Sequence, residues 1–155
     1  MDFPVLDLPV IATNLVHLSV AFLLALPIGW EREQSERTAG VRTFPLVAMA
    51  SCGYILIASR VLAESAEAQA RILEGLMTGI GFIGGGAILK GGDAVRGTAT
   101  AASIWNTGAI GAAVAYDRFE IALLLMILNF VALRWLIRLK PQAADRSPGE
   151  EGPGE

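Results

Sequence analysis

The residues able to do acid–base or metal chemistry stand at the ends of long apolar runs. Glu31, Arg32 and Glu33 follow the first run, and Arg42 and Thr43 begin the second. Two carboxylates this close can offer oxygen ligands to Mg²⁺, but exposed acids on either side of an arginine are a weak indication of such a site. We therefore expect no bound metal.

A second charged segment separates the third apolar run from the fourth. Thr98, just after it, is a candidate helix N-cap, as Thr43 is at the second run. We predict that the charges at these helix ends form one ion-pair network at a membrane face. The alternative is a set of solvated charges placed there by topology alone. The charged cluster comprises Glu31, Arg32, Glu33, Arg42, Thr43, Lys90, Asp93 and Arg96.

Catalytic and cofactor motifs are missing from the sequence. His17 is the only histidine, which excludes a metal site built from several histidines. We find no nucleophile–base pair, no metalloprotease motif and no phosphate-binding loop. Residues 79–84, GIGFIG, match the dinucleotide pattern G-x-G-x-x-G, but they lie inside an apolar run, where helix packing is the better interpretation. We expect a protein that is not an enzyme and has no cofactor.

The elements that carry these residues are five apolar runs. The chain has 155 residues, of which 54% are hydrophobic, and a mean hydropathy of +0.54. A helix that crosses a bilayer needs roughly 20 mostly apolar residues. Five runs approach that length, which predicts an all-α, polytopic transmembrane bundle with five spans. They are residues 10–30, 43–59, 72–89, 97–116 and 121–133.

The basic residues predict the orientation of the bundle. Nine of the twelve lie in the connections after runs one, three and five, so these connections are expected in the cytoplasm and the N-terminus outside. Residues 1–140 are interpreted as one transmembrane domain, and residues 141–155, rich in Pro, Gly and Glu, as a disordered cytoplasmic tail. A net charge of −3 disfavours nucleic acid as a partner.

Small residues distinguish runs three and four. In residues 98–115, 13 of the 18 are Ala, Gly, Ser or Thr. Small residues let helices approach closely in lipid, so we predict that runs three and four form the centre, with runs one and five facing lipid. Gly84 to Gly86 could also break helix three. The predicted packing residues are Gly75, Gly79, Gly81, Gly84, Gly85, Gly86, Gly97, Thr100 and Trp105, and further polar candidates are Arg71, Glu74 and Asn106.

These motifs together resemble the MgtC/SapB family of bacterial inner-membrane proteins. The resemblance covers residues 10–138 and departs from the family pattern at Phe44, often His, at Gly75, often Gln, and at Asn106-Thr107, which replace Cys-Ser. Its carriers are GWERE at 29–33, AGVRT at 39–43, Arg71, TGIGFIGGGAI at 78–88, VRGT at 95–98, TAA at 100–102 and Trp105.

The resemblance implies a multi-pass inner-membrane protein tied to growth at low magnesium and to virulence. It further implies contact with lipid and with a membrane protein partner such as the ATP synthase. We expect a non-enzymatic regulator that works by helix–helix contact, as a homodimer or higher oligomer. The alternative is a small oligomeric channel or transporter for Mg²⁺, H⁺ or phosphate, with a pore near helices three and four.

Overall fold

The structure, a computed structural model, describes residues 7–35, 39–91 and 94–135. It is all-helical apart from one hairpin of two three-residue strands, so the predicted all-α class is confirmed. The predicted tail, 141–155, lies outside the described residues. In chain order the elements are α1 (Leu8–Ser35), α2 (Thr43–Val61), α3 (Ala66–Gly86), β1 (Leu89–Gly91), β2 (Ala94–Arg96), α4 (Thr98–Ala115) and α5 (Phe119–Trp135).

Helix α4 is the centre of the bundle and packs against each of the other four helices. Ten of its residues are buried. Gly111 shows why small residues are needed there, because a Cβ at this position would overlap the backbone oxygen of Ala48 in α2. A Cβ at Gly108 would similarly meet the Ile80 side chain of α3. The central position predicted for run four is confirmed.

Helix α3 lies at the edge, and its predicted central position is wrong. Only Ile80 and Gly84 are buried in it. Small residues allow close packing but do not say on which side of a helix a neighbour lies, and at five of the six α3 glycines an added Cβ would meet no atom within 4 Å. The helix also continues through Gly84 and Gly85 to Gly86, so the glycine run ends the helix rather than interrupting it.

The helix starts differ from the predicted caps. Arg42 and Gly97 occupy the N-cap positions of α2 and α4, neither makes a side-chain capping bond, and Thr43 and Thr98 are the first helical residues. At Gly97 a positive φ of 86° turns the chain from β2 into α4, where a Cβ would overlap the backbone oxygen of Ala87. The glycine is therefore required by the turn.

The connection between α3 and α4 is an antiparallel hairpin rather than an extension of a helix. Leu89 pairs with Arg96 and Lys90 with Val95. The apolar run 72–89 was predicted as one span, whereas α3 begins at Ala66 and ends three residues before Leu89. Among the described helices, α1 and α2 are long and apolar enough to cross a membrane.

Candidate functional site

The carboxylate of Glu31 joins the end of α1 to α5. Glu31 is 9% exposed, and its Oε2 accepts a hydrogen bond from Nη1 of Arg134 at 3.0 Å. A carboxylate with so little access to water needs such a partner, because burying an unpaired charge is costly. The sequence cluster did not include Arg134, which is 103 positions away and gives no local signal.

The guanidinium of Arg32 lies inside the bundle. Arg32 is 2% exposed and is among the largest fully buried side chains. Its Nη2 donates to Oγ1 of Thr100 at 2.9 Å, and Thr100 is itself fully buried near the start of α4. Arg32 therefore links α1 to the central helix, and Thr100, predicted as a packing residue, also accepts a hydrogen bond from a charged donor.

Glu33, the last residue of the GWERE motif, binds the loop between α1 and α2. Its Oε2 accepts from the backbone N–H of Val41 at 2.9 Å. A Cβ at Gly40 would overlap the Glu33 carboxylate, and a Cβ at Gly29 would lie 3.1 Å from the Gly40 oxygen. The glycines of the two motifs thus allow the loop to lie directly on α1, which accounts for their joint presence.

Glu31, Arg32 and Glu33 with these partners form the junction at the end of α1. The other described members of the predicted cluster form no hydrogen bond or ion pair with the side chains of this junction. Arg42 and Arg96 are exposed, and between described residues neither forms an ion pair with α1. Lys90 is exposed on β1, and Asp93 lies outside the described residues. The acids of α1 are satisfied by Arg134 and by the Val41 backbone instead of by Arg42 or Arg96, the partners that the sequence suggested.

A cavity of about 580 Å³ with both polar and apolar walls lies between α4 and α5, beside Arg32 and Arg96. Ser103 donates to the Asn129 side-chain oxygen at 3.0 Å, and Asn106 Nδ2 donates to the Leu125 carbonyl at 3.3 Å. These bonds tie α4 to α5. Asn106 therefore has the role of joining helices, the usual one for an amide within apolar surroundings.

The opposite end of the bundle holds a histidine clamp, defined as His17 with Asp117 and the Thr13 carbonyl. His17 Nδ1 lies 2.8 Å from the Thr13 oxygen, and Nε2 lies 2.8 Å from Oδ1 of Asp117. Both neighbours are acceptors, so both bonds form only when the ring carries two protons. The Phe119 ring lies beside the imidazole, and the centroids of the two rings are 5.8 Å apart. Asp117 was not predicted, since it lies in the turn between α4 and α5.

On α3 the predicted packing glycines have open space around them. A Cβ added at Gly75, Gly79, Gly81, Gly85 or Gly86 would meet no atom within 4 Å, and at Gly84 it would lie 3.2 Å from the Ala101 oxygen. Of the predicted residues, only Gly84 makes a close helix contact from α3 within the described chain.

The polar residues of α3 and the aromatic residue of α4 are also exposed. Arg71 Nη2 donates to Oε1 of Glu67 at 2.8 Å, and Glu74 is exposed to the surroundings. Trp105 is 50% exposed on the surface of α4. The described residues contain no group of three His, Cys, Asp or Glu side chains that could hold a metal ion, and they bring together no nucleophile and base.

Comparison with known proteins matches residues 18–141 to the model of the MgtC family. An uncharacterized protein of Synechocystis is 37% identical over 119 residues, which are 77% of this chain and 50% of the relative. Protein SrpB of Synechococcus elongatus is 33% identical over 136 residues, and the match covers 80% of this chain and 75% of the relative. Protein MgtC of Salmonella typhimurium is 35% identical over 134 residues, and the match covers 86% of this chain and 56% of the relative.

The chain therefore spans about half the length of two of these three relatives. No solved structure matches it. The family match covers most of the 155 residues, including the GWERE and AGVRT segments, α3, α4 and α5, and with the apolar helices it indicates a membrane protein. The chain belongs to the MgtC family.

Proposed function

We propose that this chain is a non-enzymatic, multi-pass protein of the bacterial inner membrane that regulates a membrane protein partner through helix–helix contact. The observation that carries the proposal is the exposed glycine face of α3, defined as Gly81 and Gly85 with Glu74 and Thr78. Residues four apart lie on one side of a helix. A Cβ at either glycine would meet nothing, so this face is free to receive another helix.

We further propose five spans and an outside N-terminus, for which the helix lengths and the basic residues give support. Helices α4 and α5 have 18 and 17 residues, or about 27 and 26 Å at 1.5 Å per residue, against a hydrocarbon core of about 30 Å. Five basic residues lie at one end of the five helices, which supports a cytoplasmic position for that end. They are Arg32, Arg42, Lys90, Arg96 and Arg134.

We take the ATP synthase as the partner to test first, in a role in adaptation to low magnesium and in virulence, because the proteins named MgtC are relatives of this chain. The experiment uses inverted inner-membrane vesicles with and without the protein. ATP-driven proton pumping and ATP hydrolysis are recorded together. We expect both to fall together, because a regulator that restrains the enzyme slows both. Unchanged pumping and hydrolysis would refute this choice of partner.

The docking face is tested with the double substitution Gly81→Leu and Gly85→Leu. Both leucines point into open space, so the fold is kept while a partner helix is held away. We expect the effect on pumping to be lost. Ser19→Leu, on an exposed part of α1, is the matched control and should leave the effect intact. An effect that survives the double substitution would show that this face is not used.

A second candidate function is ion conduction, favoured by the polar side chains in the cavity between α4 and α5. Arg32, Ser103, Asn106 and Asn129 line it among apolar residues of the two helices. Polar groups inside a membrane often mark an ion pathway. In the vesicle experiment, a proton gradient that falls while hydrolysis holds or rises would favour this function over regulation.

A further inference from the structure

A long apolar groove separates α2 from α3 on the outside of the bundle. Its volume is about 740 Å³. Leu46, Val47 and Ala50 line it from α2, and hydrophobic side chains of α3, among them Leu76 and Ile83, line it from the other side. The two helices are neighbours in sequence and in space, yet they leave room here for a guest of considerable size.

The groove stays open because of two glycines. Gly75 and Gly79 lie on the α3 wall, and a Cβ at either position would meet no atom within 4 Å. Helix α3 packs more closely against α4 than against α2, through the contacts of Gly84 with Ala101 and of Ile80 with Gly108. The space beside α2 is therefore built into the packing of the bundle.

The mouth of the groove carries a positive charge. Arg42 lines it where α2 begins, is exposed, and forms no ion pair with another described residue. Arg71 also lines the groove, from the second turn of α3 towards the opposite face of the bundle, and is already bound to Glu67. No acidic residue lines the groove. An anion at the mouth would thus meet the guanidinium of Arg42 without a competing carboxylate, and guanidinium is well suited to phosphate.

The length of the groove suits one fatty-acyl chain. From Thr43 at the mouth to Tyr54 at the far end, α2 rises about 17 Å. Half of the hydrocarbon core of a bilayer is about 15 Å thick. A chain whose headgroup lies beside Arg42, at the cytoplasmic boundary, would therefore extend along the groove and end near the middle of the membrane.

We propose that this groove binds a phospholipid with an anionic headgroup, with its phosphate at Arg42 and one acyl chain against Gly75 and Gly79. The inference rests on the membrane placement in the proposed function. It uses a different face of α3 from the docking face, since Gly79 and Gly81 are two residues apart and so lie about 200° from each other around the helix.

The test uses the full chain in nanodiscs that contain phosphatidylglycerol with a photoreactive group on one acyl chain. After illumination, the labelled peptides are mapped by mass spectrometry. We expect labelling concentrated at Leu46, Ala50 and Ile83. A Cβ at Gly79 would meet no atom of the chain, so we expect Gly79→Leu to be accepted and to fill the groove, and labelling there should fall to background. Gly81→Leu is the matched control and should label as the parent does.

The headgroup is tested by repeating the labelling with photoreactive phosphatidylcholine. We expect Arg42→Gln to reduce labelling by phosphatidylglycerol about tenfold, the usual size for loss of a charged hydrogen bond. The parent should also label less with phosphatidylcholine, because its choline cation offsets the charge of the phosphate beside Arg42, and Arg42→Gln should narrow this difference. Arg42→Lys should retain part of it.

Three results would overturn the proposal. Labelling spread evenly over all outward-facing helix surfaces would mean ordinary contact with the bilayer. Labelling of the groove that Gly79→Leu does not change would mean that the chain lies elsewhere. Cross-linking of two copies through the groove would identify a second copy as its occupant. If the acyl chain labelled none of the helices, this would instead refute the membrane placement on which the proposed function depends.

Discussion

The end of α1 and the outer faces of α3 use their residues in opposite ways. Each charged residue at the end of α1 has a partner inside the chain. Glu31 binds α5, Arg32 binds α4, and Glu33 binds the loop between α1 and α2. An added Cβ would meet no atom within 4 Å at Gly75, Gly79, Gly81 or Gly85. The first region holds the bundle together, whereas the second leaves surface for molecules outside it. Substitutions should therefore change stability at α1 and binding at α3.

The largest loss of stability is expected at Arg32. Arg32→Ala removes a fully buried side chain and leaves Thr100 without its charged donor, which should lower the free energy of unfolding by about 3 kcal/mol. Denaturant unfolding in detergent measures this. Arg32→Lys keeps the charge but not the planar fork, so it should recover only part of the loss. An alanine variant as stable as the parent would contradict the structural role of Arg32.

The same substitution should have opposite effects on α4 and α3. Gly111→Ala places a Cβ against the Ala48 backbone and 2.9 Å from the Ser51 Cβ, which we expect to destabilise by about 2 kcal/mol. Gly81→Ala enters open space and should stabilise by about 0.5 to 1 kcal/mol, because alanine is the better helix former. Thermal unfolding of the two variants side by side checks the contrast. Equal effects would remove the distinction drawn between the helices.

A smaller effect is expected for the ion pair between α1 and α5. Half of the Arg134 side chain is exposed, and the solvent weakens the attraction. A double-mutant cycle with Glu31→Gln and Arg134→Gln should give a coupling of about 1 kcal/mol. Arg134→Gln alone should be the more harmful of the two, since it leaves the buried Glu31 carboxylate unpaired. A coupling near zero would show that the two side chains do not act as a pair.

The smallest effect is expected at the histidine clamp. A His17 ring with two protons donates to both Asp117 and the Thr13 carbonyl, whereas a neutral ring can donate to only one of them, so the clamp should contribute more stability at pH 5.5 than at pH 8. Asp117→Asn keeps a residue that tolerates the φ of 58° while it removes the charge. Its unfolding midpoint should therefore change less between these two pH values than that of the parent.

The sequence predicted the helices better than their contacts. Apolar runs locate all five helices, because length and hydropathy are local properties, and the GWERE and AGVRT segments do carry the junction at the end of α1. Contacts depend on which helices are neighbours. Glu31 therefore pairs with Arg134 and not with Arg42, and His17 pairs with Asp117. Gly108 and Gly111 were not singled out, whereas the glycines of α3 were, because a count of small residues does not reveal which side of a helix is covered.

The unequal lengths of α1 and α4 bear on the shape of the surrounding bilayer. With 28 residues α1 extends about 42 Å, whereas α4, with 18, extends about 27 Å. One exceeds a hydrocarbon core of about 30 Å and the other falls short of it. In the proposed membrane placement, α1 must tilt or project while the lipid thins beside the ends of α4. The protein would then respond to bilayer thickness, with Arg32 and Thr100 holding the long helix against the short one.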